Sequence, residues 1–239
     1  MEIASIQDIV TQSQIGKMRI EWWKQAINDT FHGSPPNHPV ALALANSLET
    51  ARLSKSWFNR ILNERADTMF MPAFSSIEAL ERYGENTNSV LIYLHLEALG
   101  IVDLKCDHAA SHIGKAAAMA TQLRAAPLHL SKSQLYLPTD IMNKHSIVTE
   151  DIIRKGTTKH FEEAIFELST RANDQAITAR TYQAEIPKEA VPALLNLVPA
   201  QYYLKQLERS HFDILDNRLS KKSLTLPFNI WKHARKYTY

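Results

Sequence analysis

Only 6 glycines occur among 239 residues, and that scarcity limits the fold more than any motif does. A multi-stranded β protein needs many tight turns, and a phosphate-cradling loop needs clustered glycines. The chain instead carries apolar residues at helical spacing, and its 10 prolines fall mostly between those segments, where they stop helices. Ile15, Met18, Trp22, Ile27 and Phe31 form one stripe, with Trp23 alongside, and GSPPNHP (33–39) breaks it. Helices are predicted over 15–31, 40–48 and 54–69, the last ended by Met71 and Pro72. Ser75 or Ser76 caps a long helix to about 99, closed by Gly100, with Ile77, Leu80, Tyr83, Val90, Leu91, Leu94 and Ala98 as its apolar face. A helix over 107–124 is rich in small residues, from Ala109 to Ala120, which let a neighbouring helix or a flat ligand approach closely. Pro127 and Pro138 bracket an irregular segment. Further helices follow over 158–182, 190–197, 201–208 and 228–237. The reading is all-α, with one unbroken helical domain over 1–217 and a basic aromatic segment over 218–239 packed on it or continuing it.

Composition adds exclusions. Hydrophobic residues make up 45% and charged residues 22%, as in globular chains and unlike disordered ones. The single cysteine, Cys106, excludes an internal disulfide and a cysteine-based zinc site, and fits a reducing compartment. No apolar run is long enough to span a bilayer, and the first residues resemble neither a secretory signal nor an arginine-rich leader. Charge is uneven. Segment 218–239 holds six Lys and Arg and no acid, so it is +6 in a chain of net +2, leaving −4 on the rest. Its Lys221, Lys222, Lys232, Arg235 and Lys236 interleave with Leu226, Phe228, Ile230, Trp231, Tyr237 and Tyr239. Aromatics favour a membrane interface and cations an anionic one, so this segment is expected to touch a membrane or an acidic partner. Nucleic acid is not expected, because no wider basic stripe accompanies it.

Few residues are spaced for chemistry. His108 and His112 share a helix face at i,i+4, as two metal ligands do, but Ala109 stands where a zinc protease has glutamate. A satisfied polar pair between helices is the plainer reading. Asp103 and Asp107 have the spacing of carboxylates sharing Mg²⁺, yet they sit at a helix start, where such residues cap free amides. Asp213/Asp216, Glu64/Asp67 and Glu78/Glu81/Glu85 read as solvated faces. No nucleophile elbow is present.

The stretch DHAASHIGKA, the Leu123-Arg124 pair and the following YLP at Tyr136 resemble the second signature region of the squalene/phytoene synthase family. Within it they look most like the branch of mitochondrial assembly factors for respiratory complex I, as do MRIEWWKQAI, HPVALAL, RYGENTNSVLIYLHLEALGI and KYTY. The resemblance implies the all-α isoprenoid (terpenoid) synthase fold, helices around a central cavity. In the family's enzymes two aspartate motifs across that cavity hold Mg²⁺ against a prenyl diphosphate. Here Arg124 matches, but Ala125 and His129 occupy the two aspartate positions, and Gln134 replaces the basic residue before Tyr136. Pro127 is expected to break the helix between them. The first motif would fall at or before the N-terminus, where Glu2 and Asp8 are too far apart to share one face, so an N-terminally truncated fold is expected.

The resemblance therefore implies a non-enzyme with no cofactor and no metal. Its vestigial cavity would be bordered by His108, His112, Arg124, His129 and Tyr136. It implies action on early complex I intermediates containing NADH dehydrogenase subunit 1, at the matrix side of the mitochondrial inner membrane. Two alternatives stand beside it. One is a Mg²⁺-dependent prenyl diphosphate transferase using carboxylates such as Asp103 and Asp107. The other is an isoprenoid or lipid carrier that keeps the cavity open.

Overall fold

Asp103 starts the central helix by accepting hydrogen bonds from the amides of Lys105 at 2.8 Å and Cys106 at 2.9 Å, so it serves as a cap. Just upstream, Gly100 takes φ +71°. The Ile101 amide reaches back to the Leu96 carbonyl and the Gly100 amide to that of Glu97, each at 2.9 Å. That is the left-handed helix ending a glycine makes cheaply.

The computed structural model describes residues 2–10, 12–71 and 73–239, apart from the side chains of residues 7 and 8. The helix stop expected at Pro72 and the side chain of Asp8 lie outside the described residues. In chain order the helices are α1 (Glu2–Ile9), α2 (Ser13–Phe31), α3 (Pro39–Thr50), α4 (Lys55–Thr68), α5 (Ile77–Gly84) and α6 (Val90–Ala98). Then come α7 (Leu104–Ser131), α8 (Thr139–Lys144), α9 (Thr149–Lys155), α10 (Lys159–Thr181), α11 (Val191–Leu194), α12 (Leu197–Arg209) and α13 (Leu226–Lys236). The described residues contain no strand.

Helix α7 is the axis of the molecule, packed by α5, α6, α10 and α12. Its small residues serve that packing. Ala109, Ala110 and Ala116 are fully buried, and a Cβ on Gly114 would lie 2.1 Å from the Ser89 hydroxyl. Ser89 belongs to a π-helical turn, Glu85–Ser89, which joins α5 to α6 and presses backbone against backbone at Gly114. Two apolar clusters flank α7. One gathers Met119, Leu123, Phe161, Leu168 and Leu207, the other Ile113, Leu194, Leu197 and Tyr239. A third joins α2 to α4 through Ile20, Trp23, Ile27 and Leu62.

One expectation is corrected. Pro127 does not break the helix: α7 runs through it to Ser131. Ala126 and Leu130 on either side are buried, and their packing outweighs the hydrogen bond that proline cannot donate. Hence the segment after Pro127 is irregular only beyond Ser131. The long helix expected from Ser76 to residue 99 runs unbroken, α5 passing through the π turn into α6. The short helices α1, α8 and α9 add to the expected set, each too brief for a periodic signal.

Candidate functional site

Ala118, Thr121, Gln122, Ala125, His129 and Lys132 recur at helical spacing along α7 and form one wall of a cavity of about 760 Å³. Arg65, Thr68 and Met69, from the end of α4, face them, together with Tyr83, Asn88 and Phe74. Gln134 and Tyr136, in the turn after α7, close one end. Ala125 and His129 thus both face this space, at the positions where the family resemblance places aspartates.

The charges in the cavity are Arg65 and Lys132, and none of its described lining residues is Asp or Glu. The Arg65 guanidinium lies 5.3 Å over the Tyr83 ring, and neither it nor Lys132 forms an ion pair among the described residues. Burial raises the pKa of Tyr83, so it remains a neutral hydrogen-bond donor. The Tyr136 hydroxyl donates to Gln134 Oε1 at 3.1 Å, and the His129 ring meets Tyr136 edge-on at 4.7 Å. Mg²⁺ takes oxygen ligands, mainly carboxylates and waters. Two cations, an imidazole and an alanine do not fit it. The same wall, amide-rich and positive, suits an anionic or neutral polar group.

The remaining expected residues are dispersed. Arg124 lines an adjoining space of about 280 Å³, which meets the first at Asn88 and Thr121 and is walled by Leu91, Pro199 and Tyr203. His108 and His112 lie outside both linings. His108 is exposed and stacks on Tyr182 at 5.7 Å. His112 Nδ1 donates to Gln175 Oε1 at 2.5 Å, and Gln175 Nε2 donates to Glu81 Oε1 at 2.6 Å. Arg171 completes the set, donating twice to Glu81 at 2.6 and 3.1 Å. The i,i+4 histidines therefore join helices, and among the described residues no group of three or more His, Cys, Asp or Glu is placed to hold a metal.

Asp103 and Asp107 also lie outside the cavity linings. Desolvation, followed by the Asp103 charge, pushes the buried Cys106 thiol up to about 12, so it stays protonated. Glu85 is an internal strut. Burial opposes its ionisation, but hydrogen bonds from Ser111 at 2.6 Å and Tyr93 at 2.7 Å, with the Lys115 and Arg60 charges, outweigh this and hold its pKa below 4.5. Arg65, Lys132 and Asn88 are the cavity groups that sequence reasoning missed. Asn88 falls in a stretch that carries the resemblance, but with no role attached, and only the meeting of α4, α7 and the π turn brings the three together.

The basic segment divides in two. Tyr239 is buried, donates to the Ala179 carbonyl at 3.0 Å, and through its own carbonyl accepts from Arg180 Nε at 2.9 Å. Helix α13 rests on α12 and buries none of its own residues. Phe228 and Trp231 stack with centroids 5.5 Å apart and stand 61% and 52% exposed. Lys221, Lys222, Lys232, Arg235 and Lys236 are all exposed, and the Arg235 guanidinium lies 5.4 Å over the Trp231 ring. No helix among the described residues is long and apolar enough to cross a membrane.

At the level of families, residues 1–225 match squalene/phytoene synthase. The mouse and human proteins named NADH dehydrogenase (ubiquinone) complex I, assembly factor 6, are each 38% identical over 239 residues, covering 100% of this chain and 72% of theirs. The Drosophila melanogaster homolog of that factor is 33% identical over 230 residues, 92% of this chain and 68% of its own. Among solved structures, a ligand-bound dehydrosqualene synthase superposes with TM-score 0.82 at 16% identity, covering 98% of this chain and 83% of that one. Squalene synthase HpnC from Alicyclobacillus acidocaldarius gives 0.77 at 16%, over 89% and 80%. At such identity these two speak for the fold alone, and the fold they share is that of the isoprenoid synthases.

Proposed function

The chain belongs to the squalene/phytoene synthase family, and from that premise we propose that it is a non-catalytic assembly factor for mitochondrial respiratory complex I. The observation that carries this reading is 38% identity, over all 239 residues of this chain and 72% of theirs, to mammalian proteins bearing that name. The cavity supports the non-catalytic part. With Ala125 and His129 on its wall, and Arg65 and Lys132 as its charges, its described lining residues include no acid with which to grip Mg²⁺ and diphosphate. We further propose that the protein acts early, on intermediates containing NADH dehydrogenase subunit 1, at the matrix face of the inner membrane. The outward face of α13, with Phe228 and Trp231 among cations, is suited to rest on an anionic leaflet.

Loss of the gene should deplete assembled complex I on native gels and spare the other respiratory complexes, and re-expression should restore it. A normal complex I profile would overturn the reading. Purified protein with Mg²⁺ and farnesyl or geranylgeranyl diphosphate should form no product. One observation favours a second reading: a cavity of about 760 Å³ has room for a lipid tail between Met69, Phe70 and Phe74. Co-purified lipid in native mass spectra, lost on filling the cavity with Ala125→Trp, would establish a carrier.

A further inference from the structure

Behind α13, on the side opposite its aromatic face, lies a cleft of about 420 Å³ between α12 and α13. Arg180, Lys205, Arg209 and His233 converge on it, and none of its described lining residues is acidic. Lys205 and Arg209 are i,i+4 on α12 and therefore point the same way. Neither forms an ion pair among the described residues, nor does Arg180. Arg180 is fixed in place: Nε donates to the Tyr239 carbonyl at 2.9 Å and Nη2 to Gln201 Oε1 at 2.5 Å. Its other N–H donors have no protein acceptor among the described residues. His233 Nδ1 is engaged by the Thr238 hydroxyl at 3.0 Å, which leaves Nε2 as its other hydrogen-bonding atom. Three cations and a histidine from three helices thus face one cleft with no acidic side chain among its described lining residues, a setting that favours an arriving anion.

We propose that this cleft binds a phosphate group, and that its bearer is the headgroup of an acidic phospholipid. A phosphate offers several charged oxygens to donors arriving from different directions, which guanidinium and ammonium groups on separate helices match. The lipid source follows from place. The same helix turns Phe228 and Trp231 outward, so a headgroup can seat on one flank of α13 while its aromatics enter the interface. The lipid assignment rests on the membrane reading above, whereas the phosphate chemistry does not.

The surroundings of His233 supply a reporter. Desolvation, then the charges of Arg180, Lys205, Lys232 and Lys236, hold its pKa below the ordinary 6.5. A bound anion offsets those charges and raises it. In full-length protein, inorganic phosphate should move the His233 ring titration upward by NMR, and Lys205→Gln with Arg209→Gln should abolish that movement. Phosphatidylcholine vesicles doped with phosphatidylglycerol should produce the same shift, and neutral vesicles should not. A shift with phosphate alone would overturn the lipid source and keep the phosphate site. No shift with either probe, or an undiminished shift in the double variant, would overturn the site. Retained vesicle binding in Phe228→Ser with Trp231→Ser, with the phosphate shift intact, would tell against the membrane contact alone.

Discussion

Helices α7 and α13 both join apolar residues to polar ones, yet they end in opposite surroundings. α7 buries residues on nearly every side, from Cys106 to Leu130, while α13 buries none. The difference lies in what surrounds them. α7 is packed by α5, α6, α10 and α12, and its small side chains let those helices come close. α13 meets α12, and its aromatics are left facing outward. A small residue marks a place where something presses in. An exposed aromatic among cations marks a face that no neighbouring helix covers.

The contrast can be broken most sharply at Gly114. Valine there would set its Cβ 2.1 Å from the Ser89 hydroxyl and 2.3 Å from the Ser89 amide nitrogen, and backbone cannot retreat as a side chain can. Gly114→Val should cost about 3 kcal/mol or prevent folding, read by urea unfolding. A variant as stable as the parent would mean that α7 is not tightly enclosed. Glu85 comes next. It ties the π turn to α7 through Ser111 and Lys115, and Glu85→Gln should cost about 2 kcal/mol at neutral pH, the worth of hydrogen bonds to a charged acceptor. Its folded pKa lies below the ordinary 4.5. The unfolded chain therefore binds the proton first, and the carboxylate's stabilisation is present above about 4.5 and lost as pH falls through the lower, folded value. Thermal melts across that acid range should show a loss in the parent that the glutamine variant lacks. The smallest effect on stability belongs to α13. Phe228→Ser with Trp231→Ser should change it by no more than about 0.5 kcal/mol, as at an open surface. Binding to anionic vesicles should fall about tenfold or more, because two aromatics no longer enter the interface. A large loss of stability would instead show that face to be part of the core.

Much of the fold was readable in advance. The helix start at Asp103, the stop at Gly100 and the long helix α10 follow from local chemistry: a carboxylate that caps, a glycine that reaches positive φ, an apolar repeat. Pro127 misled because a local rule met a tertiary override, burial of Ala126 and Leu130. Of the residues lining the cavity, Ala125, His129, Tyr136 and Asn88 lie in or beside stretches that carry the family resemblance, whereas no such stretch contains Arg65. His108 and His112 have the spacing of ligands, but spacing does not say which way a helix is turned, and these two turn toward Tyr182 and Gln175.

The sequence by itself determined that this protein is helical, where most helices begin and end, and that Ala125 and His129 stand where the family resemblance places aspartates. Those are matters of residue type and neighbour order, governed by interactions within a few residues. Only the tertiary structure decided that α4 and the π turn close a cavity against that wall, that Tyr239 turns inward while Trp231 turns outward, and that Arg180, Lys205, Arg209 and His233 meet. These side chains come from distant parts of the chain, and which of them face each other is fixed by how the helices pack.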